Sequence, residues 1–308
     1  MLIRNAATRG VKKVTLAACC ALVCGAALAQ SAQPQTALDS LRTASDKKLQ
    51  ARVDRVVRGL DLEPMVVTGR LALALVDVSD PAQPRLAMLN GDRMMYAASL
   101  PKIAILLGAM VEAELGRLPL NERTVGAMTK MIRYSSNEDA TRVLQWVGGE
   151  RLIDILQSPR FRFYDASGNG GLWVGKAYGK APAYHRDPVA KLSHGATAYQ
   201  VARFYTLLAT DKLLSHPMNT LMKETLSRPG IRHKFVRGLE SKPGARIYRK
   251  SGTWRDYHAD SALVEAGRYR YVLVGIAQHR DGGKWLEKLA APLHDLVVPP
   301  QRDVVAQR

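Results

Sequence analysis

The spacing of apolar positions changes several times along the chain, and each change predicts an element. Residues 38–57 carry Leu and Val at helical spacings among charges, the pattern of a surface helix that buries one face. Residues 71–78 form a short apolar run bounded by Gly69 and by Ser79-Asp80-Pro81, which reads as a buried strand, with 85–89 as its hairpin partner. Residues 103–111 have no polar face. Pro101 suits a first helical turn, and Gly116 with Pro119 supplies a stop, so 101–115 reads as one helix running through the interior. Residues 124–132 are compatible with a helix, and Ser136, with an acid three residues on, opens another that Gly148-Gly149 closes. From 158 to 195 the chain turns irregular, punctuated by Gly168, Gly170, Gly171, Pro182 and Pro188; a loop of that length in a compact domain is usually functional or mobile. Thr197 has capping-box form and starts an amphipathic helix to about residue 210. Residues 245–250, 261–265 and 269–277 read as strands with Ala266-Gly267 turning the last pair, and 285–296 closes as a helix despite Pro292.

Strands, then helices, then strands and a closing helix imply an α+β fold: an antiparallel sheet built from both chain ends and flanked by helices, with an all-helical lobe inserted between them. The sheet lobe is expected over about 38–98 and 231–298, the helical lobe over about 99–230, all within one domain at 30–308.

Composition changes this picture mainly at the amino terminus. Arg4, Arg9, Lys12 and Lys13 precede an apolar stretch at 14–26 and the small-x-small pattern Ala27-Leu28-Ala29, the three parts of a secretory signal peptide at 1–29. A periplasmic or secreted protein is expected, with no stable membrane insertion after cleavage. Cys19, Cys20 and Cys24 all lie in that segment, so the mature chain would hold no disulfide, thiol nucleophile or cysteine metal site. The net charge is +18, of which the leader carries four. No dense basic block or basic stripe with interleaved aromatics occurs, so a solvated basic surface is favoured over a nucleic-acid partner.

The candidate chemistry centres on Ser99 and Lys102. Residues three apart meet on one helical face, which places a hydroxyl beside an amine at the mouth of the apolar helix. An interior Lys loses hydration, its pKa falls, and it becomes a neutral amine able to take a proton from the serine. Ser99 could instead be a simple helix cap, but an amine entering an apolar helix is hard to explain structurally. The same S-x-x-K spacing occurs at Ser45 and Lys48, in a charged segment with nothing to bury the amine, and that copy reads as surface.

Two further motifs follow in order. Ser135-Ser136-Asn137 lies before a helix, and Lys250-Ser251-Gly252-Thr253 lies at the end of a strand. Together with Ser99-x-x-Lys102 they form the set found in β-lactamases and penicillin-binding proteins. On these motifs and their flanks, over roughly residues 70–298, the chain resembles that serine hydrolase superfamily, most closely the class A β-lactamase branch. The resemblance implies roles. Ser99 would be the acylated nucleophile, Lys102 its proton acceptor, and Ser135 the shuttle to the leaving nitrogen. Asn137 would hold the substrate's amide side chain. Lys250, with the Ser251 and Thr253 hydroxyls, would bind the substrate carboxylate, Gly252 completing that motif. The Ser99 and Thr253 backbone N–H groups would form the oxyanion hole.

The chain departs from the class A pattern in three places. Ser136 stands where Asp is usual, which removes a charge. The separation of Ser99 from Ser135 is short. Above all, no Glu occurs between Glu150 and Glu224, whereas class A enzymes carry a loop Glu that activates the deacylating water. Asp165, His185 and Asp187 are substitutes on paper, although each is better read as a surface or loop-capping residue. Trp173 and Tyr178 are either packing or pocket wall, and His258 is a further candidate to face the site. The expected activity is a hydrolase cleaving an amide, β-lactam or peptidoglycan-like, through acyl-Ser99 with no metal or organic cofactor. A D-alanyl-D-alanine peptidase, another amidase or esterase, or a sensing module that is acylated without turnover remain as alternatives.

Overall fold

A computed structural model of the chain describes residues 40–299; the expected signal peptide lies outside them. Helices α1 (Ser40–Thr43), α2 (Lys47–Gly59) and α3 (Glu63–Val67) lead into strands β1 (Leu71–Asp77), β2 (Arg85–Leu89) and β3 (Met95–Tyr96). Helices α4 (Lys102–Glu114), α5 (Glu122–Arg133), α6 (Asn137–Val147) and α7 (Gly149–Gln157) follow. The irregular segment holds short strands β4 (Tyr164–Asp165), β5 (Gly170–Gly171), β6 (Trp173–Val174) and β7 (His194–Ala196). Helices α8 (Ala198–Ala209), α9 (His216–Leu226) and α10 (Phe235–Gly238) precede strands β8 (Arg246–Trp254), β9 (Tyr257–Ala266) and β10 (Tyr269–Gln278), and α11 (Gly282–Val297) ends the fold.

The main sheet has the order β2-β1-β10-β9-β8, with every neighbouring pair antiparallel. Pairing of β1 with β10, Leu71 opposite Ala277 and Asp77 opposite Tyr271, joins the two chain ends as the order of elements predicts. Both faces are covered, which is why β1 reads as an unbroken apolar run rather than an alternation. Leu71, Leu73 and Leu75 belong to one core cluster with Val53 of α2 and Leu286 and Leu289 of α11. Ala72, Ala74 and Val76 belong to the other, with α4, α8 and the remaining helices. Helix α4 is buried from Lys102 through Glu112, so it does pass through the interior. Among the described residues no helix is long and apolar enough to cross a membrane.

Several elements differ from the pattern-based expectation. The helix expected over 38–57 is broken: Ser45 bridges to Leu86, the Asp46 N–H donates to the Leu86 carbonyl at 2.9 Å, and the Asp46 side chain then caps α2 by accepting from Leu49 N–H. Strand β8 runs on past 250 through Ser251-Gly252-Thr253 to Trp254, and β9 begins earlier, at Tyr257, because these ends carry polar residues that hydrophobic patterning does not register. Gly148, at φ +87°, does close α6, but it turns the chain directly into α7. The second S-x-x-K copy is indeed superficial, with Ser45 and Lys48 both exposed.

Candidate active site

Ser99 sits in the turn just before α4, half-buried, on the wall of a cavity of about 590 Å³. Its backbone carbonyl accepts the Lys102 N–H at 3.3 Å. The side chains are less directly joined than the spacing suggests: among the described residues Ser99 Oγ makes no hydrogen bond, and Lys102 Nζ is held by other groups. The fully buried Lys102 donates to the Ser135 carbonyl at 2.6 Å and to Asn137 Oδ1 at 2.8 Å, with longer contacts to the Ser136 carbonyl and Ser135 Oγ. Burial lowers its pKa to about 7. A neutral amine has two N–H bonds and one lone pair; the two short contacts use the former and leave the latter available.

The second motif reaches this point because Ser136 caps α6, its Oγ accepting the Asp139 N–H at 3.1 Å. Ser136 therefore does local structural work without the usual carboxylate. Ser135, at φ +57°, is thereby turned toward both amines. Lys250 Nζ donates to Ser135 Oγ at 3.0 Å and to the Ser251 carbonyl at 2.5 Å, so the Ser135 hydroxyl lies between Lys102 and Lys250. Lys250 is also buried, and desolvation, then the nearby Lys102 charge, hold its pKa well below the usual lysine range.

Strand β8 is the sheet edge, and it lies hard against the Ser99 turn. A Cβ built on Gly252 would come 2.1 Å from the Ala97 carbonyl oxygen and 2.7 Å from Ser99 N, so only glycine allows this approach. Gly252→Ala is expected to push the edge away from Ser99 and lower its acylation rate about 10²-fold, the scale of losing one oxyanion donor. Stopped-flow acylation of a folded variant measures this, and an unchanged rate would contradict the role of the close approach.

A residue absent from the sequence reading completes this wall. Lys234, buried and at φ +54°, donates to the Gly252 carbonyl at 2.6 Å, Thr253 Oγ1 at 2.8 Å and the Ala259 carbonyl at 3.1 Å. Its position is fixed by the next residue, whose N–H donates to Asp260; Asp260 is in turn clamped by Arg249. Desolvation lowers the Lys234 pKa to about 8. A lone basic residue beside Phe235 gave the sequence no motif to identify it. Ala98, Ser135 and Lys234 all have positive φ, and such strain concentrates where surrounding structure holds a site in shape.

The long loop forms the opposite wall. Tyr178 lies with its ring 4.4 Å from Lys102 Nζ, its hydroxyl donating to the Ala98 carbonyl at 3.2 Å. It stacks on buried His194 with ring centroids 4.2 Å apart. Tyr178 is thus pocket wall, whereas Trp173 is fully buried packing. The Asp and His residues weighed for water activation lie elsewhere. Asp165 folds back on Ser167; His185 pairs with Glu150; Asp187, fully buried, accepts from Tyr164 and from the Val189, Ala190 and Leu192 N–H groups. None of the three lines the Ser99 cavity. Nor does His258, which pairs across β8 with Thr253 but packs against Gly282 and Gly283.

Comparison with known proteins places this geometry in context. A model of the beta-lactamase enzyme family matches residues 126–296, a span that includes Ser135, Asn137 and Lys250 to Thr253 and begins after Lys102. No curated protein sequence matches the chain. Among solved structures, PBP-A is similar at a TM-score of 0.62 and 15% identity, covering 82% of this chain and 96% of its own. A PBP-A variant, solved as an acyl-enzyme complex with penicillin G, is similar at 0.59 and 16%, covering 82% and 96%. A class A β-lactamase from Bacteroides cellulosilyticus is similar at 0.60 and 9%, covering 80% and 98%. At these identities the likeness shows a shared fold.

Proposed function

The chain belongs to the beta-lactamase enzyme family, and from that premise we propose that it is an exported serine hydrolase that opens β-lactam or related cell-wall-type amides through an acyl-Ser99 intermediate, forming the acyl group faster than it releases it. The observation that carries the first part is Lys102: a wholly buried amine, at the first position of the helix that Ser99 precedes, with its two shortest contacts made to acceptors. In this reading Ser99 Oγ attacks the amide carbonyl and its proton passes to the Lys102 lone pair. The oxyanion is met by the Ser99 and Thr253 N–H groups, which the close approach of Gly252 supports. As the C–N bond breaks, Ser135, placed between Lys102 and Lys250, hands a proton to the leaving nitrogen. Lys250 and the Ser251 and Thr253 hydroxyls hold the substrate carboxylate, with the Lys234 charge set behind Thr253, whose hydroxyl accepts from it, and Asn137 holds the amide side chain.

Slow release is favoured by a specific arrangement. Among the described residues the cavity wall holds no carboxylate, and the Tyr178 ring covers Lys102 on the loop side, where an activated water would need to approach. This supports a penicillin-binding peptidase or sensor over an efficient β-lactamase. Intact-mass spectrometry of the mature protein after adding benzylpenicillin tests both parts. A single adduct is expected to persist for many minutes while little hydrolysed drug accumulates. An adduct clearing within seconds alongside rapid hydrolysis would overturn slow release, and no adduct with any penicillin would overturn the serine assignment itself.

A further inference from the structure

We propose that the cavity is built for amides that carry a second anionic group on the acyl half, recognised by Lys176 and Arg186 on the loop wall. The inference rests on the acyl-serine reading and names the substrate class for that site. It comes from an inventory of charge. Lys234 and Lys250 are buried beside the reaction centre, and Lys176 and Arg186 line the cavity, yet among the described residues no Asp or Glu does. Asp260 is consumed by Arg249 and by the Phe235 and Ser261 N–H groups. Asp187 is consumed by its own loop, and Glu150 faces His185.

The two loop cations have no carboxylate partner among the described residues. Lys176 Nζ donates to the Gly179 carbonyl at 2.9 Å, and an Arg186 guanidinium N–H donates to the Lys191 carbonyl at 3.1 Å. An ammonium has three N–H bonds and a guanidinium five, so donors are left over on both. Lys176 is also placed rather than loose: its carbonyl accepts the His194 Nε2–H at 3.0 Å, and its backbone bridges to Ala183. The order β3-β7-β6 sets β6, which leads into Lys176, two strands from Tyr96, a span of about 10 Å. Tyr96 packs on Trp254 at the end of β8, ring centroids 5.4 Å apart, so the loop pair forms a pole separate from Lys234 and Lys250 on the β8 wall. A substrate with one carboxylate would neutralise the strand pole alone, whereas a dianionic one answers both.

Benzylpenicillin and α-carboxybenzylpenicillin differ only by a carboxylate on the acyl side chain and make a matched pair of probes. Equilibrium binding to the Ser99→Ala protein separates recognition from chemistry. The dianionic drug is expected to bind about tenfold tighter, the worth of one charge-assisted hydrogen bond. That preference should vanish in Ser99→Ala carrying Lys176→Gln and Arg186→Gln, and shrink as salt rises from 50 to 500 mM. Equal binding of the two drugs, no binding of either, or a preference that survives the double replacement would overturn the inference. Mass spectrometry of wild-type protein with the same drugs addresses the serine reading alone: absence of a Ser99 adduct would overturn that reading, while the binding ratio still decides the charge preference.

Discussion

Ser99→Ala is expected to abolish covalent labelling by every penicillin, leaving the intact mass unchanged after prolonged exposure. The argument is local. The exposed copy of the same spacing, Ser45 with Lys48, has no buried amine and no strand edge beside it, so Ser45→Ala should label like wild type. Among the described residues Ser135 is the one serine whose hydroxyl lies within hydrogen-bond distance of Lys102, and Lys250 donates to that hydroxyl at 3.0 Å, whereas the Ser99 hydroxyl is unbonded on the cavity wall. Removing the Ser99 hydroxyl breaks no hydrogen bond among the described residues, so the variant should fold, and a thermal melt checks this. An adduct retained in Ser99→Ala, mapped by peptide mass to Ser135, would reassign the nucleophile.

Lys102→Ala is expected to slow acylation by about 10²- to 10⁴-fold, the range for loss of a positioned general base. The pH profile carries the sharper test. Burial holds the Lys102 pKa at about 7, so below that pH the group is an ammonium and cannot accept the Ser99 proton; above it the amine is neutral. Wild-type acylation should therefore rise with pH through about 7. Above about 8 it should level or fall as Lys234 loses the charge that it sets behind Thr253 and the attraction for the substrate carboxylate weakens. In Lys102→Ala the rising limb should disappear. A variant that simply misfolded would lose rate at all pH values and lose its melting transition; a folded variant that kept the rising limb would show that another group is the base.

Much of the fold was legible in the chain. The run at β1 was recognisable because a strand covered on both faces needs no alternation, and α4 because apolar residues on every side leave a helix nowhere but the interior. The extensions of β8 and β9 were not legible, since residues that serve a cavity do not follow the hydrophobic pattern. Absence of a loop Glu was plain in the sequence; what occupies the space beside Lys102 was not.

By itself, the sequence determined what depends on neighbours along the chain. Ser99 and Lys102 are three apart at a helix start, which brings them to the same end of α4, the Lys102 N–H donating to the Ser99 carbonyl, and Ser136 caps α6 from one residue away. Only the tertiary structure decided the rest, because burial and charge depend on what packs against a group from afar. Lys250 reaches Ser135 across 115 positions, Tyr178 covers Lys102 from a loop 76 residues on, and Lys234 arrives beneath Gly252 and Thr253 from a separate turn. The depressed pKa of Lys102 belongs to that assembly: removing an amine from water lowers its affinity for a proton, and the groups that exclude the water come from every part of the chain.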